Sequence, residues 1–154
     1  MKSAELLKDV LIEAGSVERY FGNCVPVNLW RAKKVGVPVR ELFALVEEEV
    51  VRSRGAPRQP DITIEDDWVR VRNQPRGIST FDRPDTFKGK WEYFKIPAGT
   101  VLPVGLAIVK DSYNKTFGAT HYTIAPDRDM PLALFKHRLS ELFNLIVLRN
   151  ASGY

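Results

Sequence analysis

Four side chains that can carry or exchange protons lie close together in the second half of the chain: Tyr113, Lys115, His121 and Tyr122. Phenol, ammonium and imidazole groups serve as general acids and bases, and the imidazole titrates nearest to neutral pH. Any chemistry is therefore expected to converge on this stretch. A single imidazole identifies no reaction, so His121 taken alone could also be a structural histidine.

These side chains need a scaffold that brings them together, and the sequence predicts a β-hairpin. Residues 106–113 and 119–125 are rich in β-formers, and Asn114, Lys115 and Gly118 between them are typical of a turn. Further strands are predicted at 25–32, at 77–81 and at 91–96. One or two short strands are predicted within 62–72, with Asp66 and Asp67 at their turn.

Helices are predicted mainly at the two ends of the chain. Residues 4–14 have a helical apolar pattern with Ser3 as N-cap and Gly15 just past the end, and residues 131–148 have the clearest helical period. A further helix is predicted to begin at Pro38 and to be closed by Gly55. Strands between terminal helices indicate a single α+β domain over residues 1–154, with a largely antiparallel sheet.

Composition and charge limit the classes of partner and site. Hydrophobic residues make up 44% of the 154 residues and the net charge is +4, which favours anionic partners. The lone Cys24 cannot form an internal disulfide, and no Cys/His cluster has metal-ligand spacing. We expect no signal peptide, no membrane insertion and synthesis in the cytoplasm, so export would need a route that removes no leader.

The hairpin also resembles a known family. The segments D-S-Y-N-K at 111–115 and A-T-H-Y-T-I at 119–124 are similar in sequence and spacing to type VI secretion system effector toxins with an ADP-ribosyltransferase-like fold. Such a toxin acts in a recipient cell and is neutralised in the producer by an immunity protein. The resemblance implies a split, mainly antiparallel β-sheet core with flanking N- and C-terminal helices.

Two earlier segments are similar to the same family. Residues 29–32, L-W-R-A, resemble its Leu-Tyr-Arg-Ala element with Trp30 in place of tyrosine, and residues 77–82, G-I-S-T-F-D, resemble Gly-Thr-Ser-Val-Phe-Asp. Ile78 and Thr80 depart from that second pattern, so one hydroxyl has changed strand face. Without the resemblance, Arg31 would more often be a paired surface arginine and Ser79 part of a half-buried edge strand.

The resemblance implies that NAD is bound and cleaved, through a transition state similar to an oxocarbenium ion, and that ADP-ribose passes to an unknown macromolecule in the recipient-cell cytoplasm. Its implied catalytic residues are His121 and Ser79. Its implied NAD-binding residues are Arg31, Ser79, Phe81, Tyr113 and Tyr122, with no metal.

One departure from the family bears on the activity. Most active transferases have a glutamate where this chain has Thr120-His121-Tyr122, and no acid follows along the strand until Asp127. Either His121 makes the usual carboxylate contact to the ribose 2′-hydroxyl, or the fold serves another reaction.

Two other functions remain open from the sequence. The first is a metal-independent ribonuclease toxin, in which His121 and a tyrosine or lysine exchange protons with RNA. The second is a non-enzymatic module that binds anions or nucleic acid through Arg70, Arg72 and Arg76.

Overall fold

A computed structural model describes residues 5–151 and confirms the predicted α+β class. The main sheet is antiparallel and has six strands in the order β1-β7-β8-β5-β2-β6. Its strands are β1 Tyr20–Phe21, β2 Leu29–Lys34, β5 Ile78–Phe81, β6 Trp91–Ile96, β7 Leu106–Asn114 and β8 Ala119–Pro126. A small second sheet joins β3 Ile64–Glu65, β4 Trp68–Val69 and β9 Met130–Pro131.

Two α-helices cover opposite faces of the main sheet. The helix α2, Leu132–Ala151, packs its buried side chains against Ile78, Ile108 and Ile124 in the larger core. The helix α1, Leu7–Glu13, packs against the other face, which we call the outer face. There Leu7 and Leu11 form a smaller core with Val71, Ala107, Val109 and Ala125. Alternation along each strand explains both cores, because successive residues point to opposite faces.

The sheet is nearly split between β2 and β5. These strands share one residue pair, Trp30 with Phe81, whereas β2 and β6 pair along their whole length from Leu29 with Ile96 to Lys34 with Trp91. The two halves of the sheet therefore separate on one side of the Trp30–Phe81 pair.

The predicted hairpin is confirmed, and it contains a β-bulge. Lys110 pairs with Tyr122 and Tyr113 pairs with Thr120, so Asp111 and Ser112 together oppose the single residue His121. A bulge inserts one extra residue into a strand and re-aims the side chains beside it.

The helix predicted from Pro38 to Gly55 is wrong. Only a 3₁₀ helix at Val39–Glu41 forms, and the chain then continues as a loop in which Val50 and Arg58 form a β-bridge. Asp61 accounts for the difference: its carboxylate accepts the Val46 N–H at 2.6 Å, and its own N–H donates to the Val46 carbonyl at 2.7 Å. These long-range hydrogen bonds replace those of a helix.

Other predicted boundaries shift by a few residues. The strand predicted at 25–32 begins at Leu29, and the Val25 N–H instead donates to the Thr100 carbonyl beside a β-bridge between Cys24 and Val101. The N-terminal helix begins at Leu7, and the predicted N-cap Ser3 lies outside the described residues. Among residues 5–151, no helix is long and apolar enough to cross a membrane.

Candidate functional site

Strand register places four polar or aromatic side chains on the outer face beside one another. Ser79 pairs with Thr123, and Phe81 pairs with His121, across β5 and β8. Residues that are directly opposite in an antiparallel pair share a face and lie close together. His121 and Ser79, which come from separate predicted segments, therefore belong to one surface.

Asp111 lies directly behind His121. Its Oδ2 is 2.6 Å from His121 Nδ1 and accepts a hydrogen bond from Thr123 Oγ1 at 2.6 Å. The other oxygen, Oδ1, accepts from Arg19 Nη2 at 2.8 Å, and Arg19 Nε donates to the Lys110 carbonyl at 2.6 Å. Arg19 ends the 3₁₀ helix Val17–Arg19 that follows α1, and the next residue, Tyr20, packs against the smaller core.

The Asp111 carboxylate is held in its charged form. Partial burial by itself would raise its pKa, but hydrogen bonds from His121 and Thr123 and the charge of Arg19 outweigh burial and lower the pKa below the ordinary value of 3.8. An ionised carboxylate can only accept hydrogen bonds, so His121 Nδ1 carries a proton. In neutral His121 the Nε2 atom is then an acceptor.

A cleft runs along this part of the outer face. One section of about 300 Å³ is lined by Asp61, Arg76 and Ser79, and another of about 610 Å³ by Arg19, Asp111 and Ser112. Both sections are also lined by Gln74, Pro75, His121 and Thr123. The segment 73–76 forms one wall, and His121 lies where the two sections meet.

Gly77 allows that wall to approach the sheet. A Cβ atom on Gly77 would overlap the backbone carbonyl oxygen of Ile124 on β8. The wall is also tied to the loop before β3, because the Arg76 guanidinium donates to the Pro60 carbonyl.

Arg31 lies behind Ser79 at the opening between β2 and β5. Its Nη1 donates to the Ser79 carbonyl at 3.0 Å and its Nε to the Leu42 carbonyl at 3.2 Å. Burial lowers the pKa of the Arg31 guanidinium, and the charge of Asp61 opposes this. Arg31 thus fixes the strand segment that carries Ser79, and it is absent from the lining of both cleft sections.

Phe81 contributes a buried aromatic support rather than an open wall. Its ring is only 8% exposed and meets the His121 ring edge-to-face at a centroid distance of 5.1 Å. Phe87 and Phe117 pack against Phe81 at 5.9 and 5.4 Å.

The two predicted tyrosines lie outside the cleft. Tyr122 follows His121 on β8 and therefore points to the opposite face, where it is 5% exposed within the larger core. Burial and then the charge of Asp82 raise its pKa. Tyr113 pairs with Thr120 beyond the bulge and is 62% exposed.

The sequence interpretation missed Asp111, Arg19 and Thr123. The family pattern has its acid on the strand that is β8 here, whereas Asp111 stands on the neighbouring strand β7, inside the D-S-Y-N-K segment. The predicted hairpin turn already placed residue 111 across from 121–122. No sequence pattern indicates the bulge that places Asp111 and Ser112 opposite His121.

The proposed anion-binding arginines are mostly neutralised by acids. Arg72 Nη2 lies 2.6 Å from Glu65, and Arg70 contacts both Glu65 and Asp129. Arg76 alone of the three lines the cleft. They therefore do not form one free basic surface.

Comparison with known proteins gives two matches. The model of the family described as Tse2 ADP-ribosyltransferase toxin matches residues 10–147, which include every cleft residue named above. Toxin Tse2 of Pseudomonas aeruginosa is 42% identical over 77 residues, which make up 49% of this chain and 48% of that protein. The matched segment thus spans about half the length of that relative.

Proposed function

The chain belongs to the Tse2 ADP-ribosyltransferase toxin family, and from this premise we propose that it is an NAD-dependent toxic effector that transfers ADP-ribose to a macromolecule of a recipient cell. We further propose delivery by a type VI secretion system and neutralisation by an immunity protein. The observation that carries the enzymatic proposal is the Asp111–His121 pair in the outer-face cleft.

The residues of the cleft fit the nicotinamide half of NAD. His121 Nε2 is a hydrogen-bond acceptor on β8, and the Ser79 hydroxyl stands on the adjacent strand β5. The two cleft sections together have the volume of a small-molecule binding site. Arg76 places a guanidinium at the rim, where it can pair with a phosphate.

Asp111 and His121 together take the place of the absent glutamate. His121 Nε2 accepts a hydrogen bond from the ribose 2′-hydroxyl, as a glutamate oxygen would. Asp111 keeps the proton on Nδ1 and stabilises any positive charge that develops on the ring. Thr123 and Arg19 hold the Asp111 carboxylate in position through its two oxygens.

Bound NAD supplies an ADP-ribosyl group whose bond to nicotinamide breaks as positive charge develops on the sugar. The protein contributes position and electrostatics. Ser79 donates to the nicotinamide half, and its carbonyl is held by Arg31 Nη1. Arg31 Nε and Nη1 donate to the carbonyls of Leu42 and Ser79, and Nη2 donates to neither of them. Arg31 would reach the dinucleotide through Nη2.

The test uses NAD labelled in its adenylate part, with nicotinamide release and label transfer to recipient-cell lysate measured together. His121→Ala should lower both by about 100-fold or more, the usual effect of removing one preorganised hydrogen-bonding group that acts on the transition state. Asp111→Asn should lower both to a smaller extent, because the imidazole remains but its tautomer is no longer fixed. Unchanged release by His121→Ala would refute the proposed role.

The chain offers a matched control in its second histidine. His137 lies on α2 with a side chain that is 68% exposed and contacts only Glu141 among the ion pairs of residues 5–151. His137→Ala should match the wild type in release, transfer and melting temperature.

The ribonuclease alternative rests on the same geometry, since His121 Nε2 could also accept a proton from an RNA 2′-hydroxyl. RNA cleavage without NAD, together with no nicotinamide release, would favour that alternative. Loss of cleavage in both His121→Ala and Asp111→Asn would assign it to this cleft.

A further inference from the structure

A set of unpaired cations lies on the loop between β5 and β6, on the hairpin turn and at the last residue of β2. Its five exposed residues, which we call the basic end, are Lys34, Arg83, Lys88, Lys90 and Lys115. None of the five forms an ion pair within residues 5–151, whereas Arg19, Arg70 and Arg72 are all paired with acids. This charge is therefore available to a partner.

Aromatic side chains lie between these cations. The partly buried rings of Phe87 and Phe117 are 5.0 Å apart, and the Trp91 ring lies 5.1 Å from that of Phe87. The Trp91 Nε1 donates to the Lys88 carbonyl at 3.2 Å, and Lys34 Nζ lies 5.9 Å from the Trp91 ring centroid. Trp91 is thus held in place, with the Lys34 ammonium over its ring.

The same aromatic cluster extends to the cleft. Phe81 contacts both Phe87 and Phe117, and its ring also contacts His121. Arg83 ties its own turn to the hairpin turn by donating to the Gly118 carbonyl at 3.3 Å. A molecule that covers the basic end would therefore adjoin the imidazole.

The carboxylates next to the basic end do not neutralise its positive charge. Asp82 accepts the Thr120 N–H at 2.8 Å, and Glu92 is paired with Lys33 at 2.8 Å. Asp85 is exposed in the turn between Arg83 and Lys88. Two carboxylates, those of Asp82 and Asp85, remain against five cations.

We propose that the basic end binds single-stranded nucleic acid, with phosphates on the cations and a base stacked on Trp91. Interleaved cations and aromatic rings are the two features that such binding requires. An acidic protein would use the cations but would not need the rings. Combined with the proposed function, on which this step rests, the surface makes nucleic acid the macromolecule that receives ADP-ribose.

The first test measures binding of a short fluorescein-labelled polyuridine RNA over a salt titration, without NAD. The triple variant Arg83→Gln, Lys88→Gln, Lys90→Gln should bind at least about tenfold more weakly, and its salt slope should fall by about 2. The control triple variant Lys8→Gln, Arg52→Gln, Arg54→Gln removes the same charge from exposed residues elsewhere and should bind as the wild type does.

A second variant separates stacking from charge. Trp91→Leu should weaken binding by about fivefold or more while leaving the salt slope unchanged, because stacking releases no counterions. A thermal melt monitored by circular dichroism establishes that the variant is folded.

Three results would overturn the inference: no RNA binding by the wild type, equal losses in the two triple variants, or polyglutamate binding as tight as RNA with no effect of Trp91→Leu. The last would assign the surface to an acidic protein. Nicotinamide release, measured in parallel, tests the proposed function separately. RNA binding without nicotinamide release would leave the nucleic-acid-binding surface standing but would refute the proposed function and, with it, nucleic acid as the ADP-ribose acceptor. Release without RNA binding would refute the binding surface and leave the proposed function standing.

Discussion

At the scale of single residues, the direction of the His121 imidazole depends on Asp111 behind it. The histidine is visible in the sequence as a chemical group, but its partner depends on which residue of β7 the bulge turns toward it. Sequence proximity was also misleading for Tyr122, because the residue next to His121 on a strand must face the other way. The residues that do gather at His121 come from three separate segments.

The lowered pKa of Asp111 predicts how stability depends on pH. The folded-state pKa lies below the unfolded value of 3.8, so ionised Asp111 stabilises the fold above pH 3.8, and that contribution is lost as pH falls through the folded pKa. Urea unfolding at a series of pH values should therefore show wild type and Asp111→Asn converging in free energy of unfolding as pH falls below 3.8.

Thr123→Val is the companion variant for this measurement. It keeps the shape of a buried side chain but removes one hydrogen bond that lowers the Asp111 pKa. Its acid-dependent loss of stability should be smaller than that of the wild type and should be complete at a higher pH, because the unfolded pKa that sets the onset is unchanged while the folded pKa is lowered less. Parallel curves for wild type and Asp111→Asn would contradict the assignment of Asp111 as the stabilising carboxylate.

At the scale of elements, the sequence predicts what is locally determined. The hairpin, the strand Trp91–Ile96 and α2 were all predicted within a few residues, because alternation and helical period are strong there. The predicted helix after Pro38 had a similar apolar period. It failed because Asp61 and Arg58, which follow the predicted helix, bond its backbone instead.

The approach of segment 73–76 to β8 predicts a large effect at Gly77. Gly77→Ala should lower the free energy of unfolding by about 2–4 kcal/mol, because the new methyl group meets the rigid Ile124 carbonyl. Nicotinamide release should fall even where the variant is fully folded, since the cleft wall must move.

Gly15→Ala is the control for backbone strain alone. Gly15 has a φ of 72° but open space around it, so the substitution should cost about 1 kcal/mol and leave release unchanged. If Gly77→Ala behaved like Gly15→Ala in both measurements, the close approach would not be what positions the wall.

At the scale of the whole molecule, one sheet separates two cores, and the cleft lies beside the smaller one. The larger core under α2 supports β5 and β8, which carry Ser79 and His121. The smaller core under α1 holds Tyr20, the residue after Arg19, and Arg19 pairs with Asp111. Both sides of the sheet are thus needed to assemble the Asp111–His121 pair, a dependence that no local pattern in the sequence reveals.

This arrangement predicts that damage to the smaller core spreads to the whole fold. Leu11 is fully buried, and Leu11→Ala should lower the free energy of unfolding by about 2–5 kcal/mol, while Ile12→Ala at a 53% exposed position should stay within about 0.5 kcal/mol. Far-ultraviolet circular dichroism follows helix content, and tryptophan fluorescence follows Trp30 and Trp91 on the main sheet together with Trp68 on the small sheet. The two unfolding curves of Leu11→Ala should shift together if both cores unfold as one unit. A fluorescence transition that stays at the wild-type midpoint, while part of the helix signal is lost earlier, would show instead that α1 detaches independently.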